Sequence, residues 1–137
     1  MARQWAALFP GSFDPFHEGH AFVVQAALRD FDRLYIVISW HDQKVRHHSF
    51  QSVFQTLVAR YGSNPRIQIM INATELTTTL ARRLKCWNLV RGYRNIADLV
   101  YEYHLAHQYL AQAPQLRLYY YHNSALKHLN ATNLRQK

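Results

Sequence analysis

Apolar runs of strand length alternate along the chain with longer stretches in which apolar residues recur every three to four positions. That is the pattern of βαβ units wound around a parallel sheet. The spacing predicts a first strand over Trp5–Phe9, stopped by Pro10 and Gly11, and a helix over Gly19–Arg29 with Phe22, Val23, Ala26 and Ala27 on one face. Leu34–Ile38 is an unbroken apolar run, as expected of a strand buried on both faces. A second helix opens at Ser49 and ends near Gly62, carrying Val53, Phe54, Leu57 and Val58 inward, and Ile67–Ile71 follows as a third strand. Thr74–Leu84 reads as a short helix and Trp87–Val90 as a fourth strand. Ile96–Gln112 is the longest helical pattern, with Leu99, Tyr103 or Ala106, and Leu110 on its apolar side and Pro114 as its stop. Leu116–Tyr121 is a fifth strand, and a last helix begins near Asn130. With no repeat, linker or low-complexity tract, residues 1–137 are expected to form one domain. The expected fold class is α/β, a doubly wound parallel five-stranded sheet with helices on both faces.

Composition sharpens this picture. Apolar residues make up 49% and aromatics 14%, enough for a packed core. Sixteen Lys and Arg against eight Asp and Glu give a net charge of +8, with nine His able to add more below neutral pH. The surplus points to an anionic partner without separating nucleic acid, acidic lipid and phosphorylated small molecule. The basic residues are spread along the chain and no groove-reading motif is visible, which argues against nucleic acid. Cys86 is the single cysteine, so an intrachain disulfide or a multi-thiolate metal cluster is excluded and a reducing compartment fits. No apolar run approaches the roughly 20 residues of a membrane span, and no signal-peptide pattern precedes the first strand. A cytoplasmic protein with no membrane partner is therefore expected.

The strongest local signal lies in the first strand-to-helix turn, Phe9-Pro10-Gly11-Ser12-Phe13-Asp14-Pro15-Phe16-His17-Glu18-Gly19-His20. In a doubly wound sheet this is the carboxyl edge where ligands bind, and a helix N-terminus there offers unpaired amides to phosphate. Gly11 lets backbone approach a ligand, Ser12 brings a hydroxyl and an amide, and Gly19 permits tight packing where the helix begins. His20 can donate an imidazole N–H to a phosphoryl oxygen, and His17, a helical turn earlier, could face the same pocket. Each residue alone is also ordinary strand-to-helix punctuation; the joint spacing carries the argument.

Gly-Ser-Phe-Asp-Pro-x-His-x-Gly-His resembles the His-x-Gly-His signature of the nucleotidylyltransferase superfamily, whose Rossmann-like members transfer a nucleoside monophosphate to a phosphorylated acceptor. A second block, Leu89-Val90-Arg91-Gly92-Tyr93-Arg94 with Asp98 and Tyr101-Glu102, resembles that of the phosphopantetheine adenylyltransferases, with Tyr93 in place of the usual Leu. The resemblance runs from about Ala7 to Arg135. Arg91 and Arg94 leave the end of a strand, where guanidinium groups grip phosphate bidentately. Asp98 lies four residues from both Arg94 and Glu102, so Asp98 can hold Arg94 while Glu102 accepts from a nucleotide; surface ion pairs would show the same spacing.

The resemblance implies transfer of AMP from ATP to 4′-phosphopantetheine, giving dephospho-coenzyme A and pyrophosphate, with Mg²⁺ accompanying ATP. It implies catalytic roles for His20, Lys44 and Ser12. It implies ATP contacts from Ser12, Phe13, His20, Gly92, Tyr93, Arg94, Asp98, Glu102, Leu126, Asn130, Ala131 and Thr132, and acceptor contacts from Ser12, Lys44, Thr77 and Arg91. No metal-ligating residues are expected. Thr77 could instead cap the short helix. A homo-oligomer, hexameric in the family, is the expected assembly. The chain departs from the family where Asn130 and Ala131 replace serines of the last motif, where Tyr109 stands in place of Asn, and in lacking a C-terminal helical extension after Arg135. Another nucleotidylyltransferase, such as one acting on nicotinate or nicotinamide mononucleotide, and a non-catalytic nucleotide binder are the alternatives. Tyr119-Tyr120-Tyr121 is expected to pack within the strand, with adenine stacking as the other option.

Overall fold

The computed structural model describes residues 5–40 and 45–123. Within them the order is β1 (Ala6–Gly11), α1 (Glu18–Asp30), β2 (Arg33–Ser39), α2 (Phe50–Tyr61), β3 (Ile67–Asn72), α3 (Thr77–Leu84), β4 (Asn88–Tyr93), α4 (Ile96–Gln112) and β5 (Arg117–His122). All strand pairs are parallel, in the order β3-β2-β1-β4-β5. The chain winds outward from β1 to β3, then returns past β1 to build β4 and β5. The direction of winding therefore reverses between β1 and β4, and that crevice is where doubly wound sheets bind ligands.

The strands alternate their side chains between two cores. Ala7, Phe9, Leu34, Ile36, Ile38 and Val90 pack with Val23, Val24 and Ala27 of α1 and with Val53 and Leu57 of α2. Leu8 and Val37 pack on the opposite face with Leu80 and Ala81 of α3 and with Ala113, which ends α4. The doubly wound five-stranded sheet expected from the sequence is the architecture found.

Four local expectations need correction. First, β1 does not stop at Pro10 and Gly11 but runs through both, in register with Val37 and Ile38 of β2. The β1–β4 pairing is confined to Leu8 and Leu89, and farther along the Arg91 guanidinium bridges the gap by donating to the Pro10 carbonyl at 2.9 Å. Second, α3 starts at Thr77 rather than Thr74, because Asn72 clasps Glu75 with two 3.0 Å bonds to its main chain and holds that stretch in a turn. Third, Val58 of α2 faces solvent. Fourth, Leu99, Tyr103 and Leu110 of α4 are exposed; the side turned inward carries Asp98, Glu102, Leu105 and Tyr109, since this helix walls a cavity rather than covering a core. The last helix, expected near Asn130, lies outside the described residues.

Helix α1 lies directly on β4. A Cβ built on Gly92 would meet Val23 Cγ2 at 2.5 Å, so the absent side chain sets the helix height. We expect Gly92→Ala to cost about 1–3 kcal/mol, the usual penalty for overpacking. Adding Val23→Ala should recover part of that loss in denaturant titrations; strictly additive losses would show that the contact is not the cause.

Candidate functional site

A cavity of about 550 Å³ opens at the β1–β4 crevice. Its wall is built from the first strand-to-helix turn, the end of β2, the end of β4, the start of α3 and the inward side of α4. Of the residues singled out in the sequence, Ser12, Phe13, His17, Gly19, His20, Thr77, Arg91, Gly92, Tyr93, Arg94, Asp98, Glu102 and Tyr109 meet here. Lys44, Leu126, Asn130, Ala131, Thr132 and Arg135 lie outside the described residues.

His17 and His20 form a capping box at the start of α1. His17 Nδ1 accepts from the Gly19 amide at 3.0 Å, and the His17 amide donates to His20 Nδ1 at 3.1 Å. The rings stack with centroids 3.8 Å apart. Because each Nδ1 is an acceptor, each neutral ring carries its proton on Nε2. Burial pushes the His20 pKa down to about 3, reinforced by the charges of His17 and Arg91. Burial also lowers that of His17, with Arg94 adding to the effect and Glu18 opposing it. Near neutral pH, therefore, His20 offers the cavity wall an N–H donor without a charge. Phe13 and Phe16 hold the ring in place, with centroids at 4.9 and 5.3 Å.

The turn before α1 is shaped by Phe13, whose ring folds back under Gly11 and is 1% exposed. A Cβ on Gly11 would meet that ring at 2.9 Å. Phe13 itself takes φ +48°, left-handed for a non-glycine residue. The expectation of a nucleotide contact at Phe13 thus narrows to its main chain, because the ring is core.

Arg91 lies within β4, not after it. Its Nε and Nη2 donate to the two Glu102 oxygens at 2.6 and 3.1 Å. Burial is the largest influence and works against the Arg91 charge, yet its bonds to Glu102 and the attraction of Tyr109, Glu102 and Tyr101 together hold the group above its ordinary range. Glu102 is 3% exposed and each of its oxygens accepts from Arg91, so it is the counter-charge of that guanidinium. Of the five guanidinium donors, the Glu102 and Pro10 bonds use three. Arg94 stands at the mouth, where the Asp98 carboxylate accepts from its amide, Nε and Nη2 at 3.0, 2.9 and 3.3 Å. The pairing read from the i,i+4 spacing is present.

Thr77 is the first residue of α3 rather than its cap, which is Leu76. The capping alternative therefore falls away, and Thr77 lines the cavity together with Tyr109. Burial raises the Tyr109 pKa, while Arg91 and Thr77 act against it. Tyr119 packs edge-on against Phe31 at 5.1 Å, and Tyr121 donates to Asp30 at 2.7 Å, so both belong to the α1 face of the sheet. Sequence reasoning missed Ser39, Trp40, Tyr101, Leu105 and Asn123 in the wall. Tyr101 and Leu105 were findable, being three residues from Asp98 and from Glu102 on the same side of α4.

The comparisons with known proteins agree with this geometry. The cytidylyltransferase-like family model matches residues 8–137. A phosphopantetheine adenylyltransferase from Mycoplasma capricolum is 32% identical over 131 residues, spanning 95% of this chain and 94% of that protein. Among solved structures, a lipopolysaccharide core biosynthesis protein from Thermoplasma volcanium superposes with a TM-score of 0.63 at 14% identity, over 88% of this chain and 98% of its own. A nicotinic acid mononucleotide adenylyltransferase from Plasmodium falciparum gives 0.53 at 17%, over 66% and 52%. At such identities the structural likeness speaks for the fold alone. By its family match over nearly the whole chain and its relatives across that length, the chain belongs to the cytidylyltransferase-like family and, within it, to the phosphopantetheine adenylyltransferases.

Proposed function

We propose that the protein transfers AMP from ATP to 4′-phosphopantetheine, releasing pyrophosphate and forming dephospho-coenzyme A. The observation that carries the reading is the pairing of the neutral His20 donor with the partly unspent Arg91 guanidinium in one cavity at the β1–β4 crevice. An acceptor phosphate oxygen attacks the α-phosphorus in line, and the bond from that phosphorus to the bridging oxygen breaks as pyrophosphate leaves. The acceptor is already an anion, so no protein base is needed. Catalysis then rests on positioning and on donors aimed at the developing charge.

His20 donates from Nε2 to an α-phosphate oxygen, and Ser12 and the Phe13 amide orient the same group. Arg91 presents its remaining donors to the acceptor phosphate, with Glu102 fixing its plane. Thr77 and Tyr109 line the acceptor side. Arg94, held by Asp98, with Gly92 and Tyr93, serves the nucleotide. Lys44, Leu126, Asn130, Ala131 and Thr132 keep the roles that the family resemblance implies. Mg²⁺ bound with ATP would supply charge neutralisation at the phosphates.

The test is an acceptor screen with the purified chain, reading pyrophosphate release. Turnover is expected with ATP and 4′-phosphopantetheine; turnover confined to a mononucleotide acceptor would move the protein to another branch, and none with any acceptor would defeat the enzymatic reading. We further propose a homo-oligomer. The exposed Ile96, Leu99, Val100 and Tyr103 of α4 supply an apolar stripe that a second copy would cover, and a monomeric mass by light scattering would refute it.

A further inference from the structure

We propose that Arg46 is a positioning residue that sets the orientation of the phosphate-facing turn at Ser12 and Phe13; the inference rests on the functional reading above. No feature of the sequence around Arg46 singles it out. In the structure its guanidinium donates to three carbonyls. Nη2 donates to Ser12 at 3.2 Å, Nη1 to Ser39 at 3.5 Å, and Nε to His48 at 2.9 Å, while the group lies over the Phe50 ring at 4.4 Å. All three nitrogens therefore have carbonyl partners, which ties the Ser12 turn to the end of β2 and to the segment before α2.

A second tie joins the same two segments. The Asp14 carboxylate accepts from the His47 and His48 amides at 2.7 Å each and pairs with His48 Nδ1 at 2.7 Å. The His47 amide above all holds its pKa down, to about 2, with burial opposing and His48 assisting. The turn before α1 and the segment before α2 are thus cross-linked twice, with the α2 segment donating and the turn accepting through the Ser12 carbonyl and the Asp14 carboxylate.

The consequence falls on one peptide. In a trans peptide the carbonyl and the following N–H point in opposite directions. With the Ser12 carbonyl turned to Arg46, the Phe13 N–H points away from the guanidinium, and both Ser12 and Phe13 border the cavity. Phe13 holds a left-handed conformation, which persists in a non-glycine residue only where the surroundings dictate it. Here the buried ring dictates it from one side and Arg46 from the other. Without the brace, the peptide is free to turn and its amide loses its aim.

The test compares wild type, Arg46→Ala and Arg46→Lys in the pyrophosphate-release assay, with and without ethylguanidinium. Arg46→Ala should lower kcat by about 10- to 100-fold, the scale of a small misplacement of reacting groups, with the KM for the acceptor nearly unchanged and partial rescue by ethylguanidinium. A lysine reaches one carbonyl where the guanidinium reaches three, so Arg46→Lys should also lose kcat and carries the test if Arg46→Ala does not fold. A kcat within twofold of wild type, or a loss in folded Arg46→Ala that ethylguanidinium does not restore, overturns the proposal. If wild type itself shows no turnover, the functional reading fails on its own. The brace is then read by hydrogen exchange at the amides of residues 11–14, which should quicken by about 10-fold or more in the variants; unchanged exchange would overturn it.

Discussion

Replacing His20 with Ala is expected to lower kcat by about 10²- to 10⁴-fold, the range seen when a preorganised transition-state donor is removed, with a smaller change in ATP affinity. The expectation follows from the tautomer: Nδ1 is taken by the His17 amide, so only Nε2 can act, and it acts as a donor. His20→Asn separates this from helix capping, because its amide oxygen can still accept from His17 while the Nε2 donor is gone. Both variants should also change the acid stability. The folded His20 pKa, about 3, lies below the roughly 6.5 of an unfolded histidine. Between those values the unfolded chain binds a proton that the folded chain does not, so stability falls as pH falls through that window. The variants should show a flatter dependence there. An unchanged kcat in both would remove His20 from the reaction.

The second large effect belongs to Glu102. Glu102→Gln keeps the shape but takes the counter-charge from a guanidinium whose side chain is only 21% exposed. Removing one partner of a buried ion pair costs about 3–5 kcal/mol. Melting should fall by about 10 °C or more for a chain of this size. The double variant Arg91→Met with Glu102→Leu should recover much of that stability, because two apolar groups leave no orphaned charge, yet it should lack turnover with the phosphorylated acceptor. A Glu102→Gln protein that melts within 2 °C of wild type would show that the pair is dispensable.

Periodicity and turn chemistry carried most of the fold. The central strands are apolar on both faces, and Ser49 caps α2 through the Ser52 amide as its position suggested. The errors on β1 and α4 have a common source, since both occur where the chain serves the cavity instead of a core. Pro10 looked like a stop because the sequence does not reveal that Arg91 closes the gap beside it. On α4 the apolar positions suggested a buried stripe, yet the buried residue is Glu102, stabilised by a partner eleven residues upstream on another element. The motifs located the histidines, Arg91 and Arg94, but the division of labour between Glu102 and Asp98 required coordinates. Arg46 carries no local signal, as its partners are carbonyls supplied by three separate segments.

Several arginines do similar work, which accounts for part of the charge surplus. Arg66 donates to the carbonyls of Leu28, Phe31 and Asp32 where α1 ends, and Arg60 and Arg83 pair with Glu18 and Glu75. Much of the basic character is thus spent on fastening chain to chain, not on attracting a partner.

The contact of Val23 with the bare Gly92 backbone leaves one wall of the cavity little room for change. Only the short Val23 side chain separates helix α1 from strand β4 at this point, so the spacing of His20 from Arg91 is set largely by the backbone. The opposite wall, where Thr77, Leu105 and Tyr109 project from α3 and α4, has no such restriction. Divergence in what this scaffold accepts therefore has a direction: new acceptor shapes are reached by exchanging side chains on the α3–α4 side, while the phosphate chemistry stays where it is.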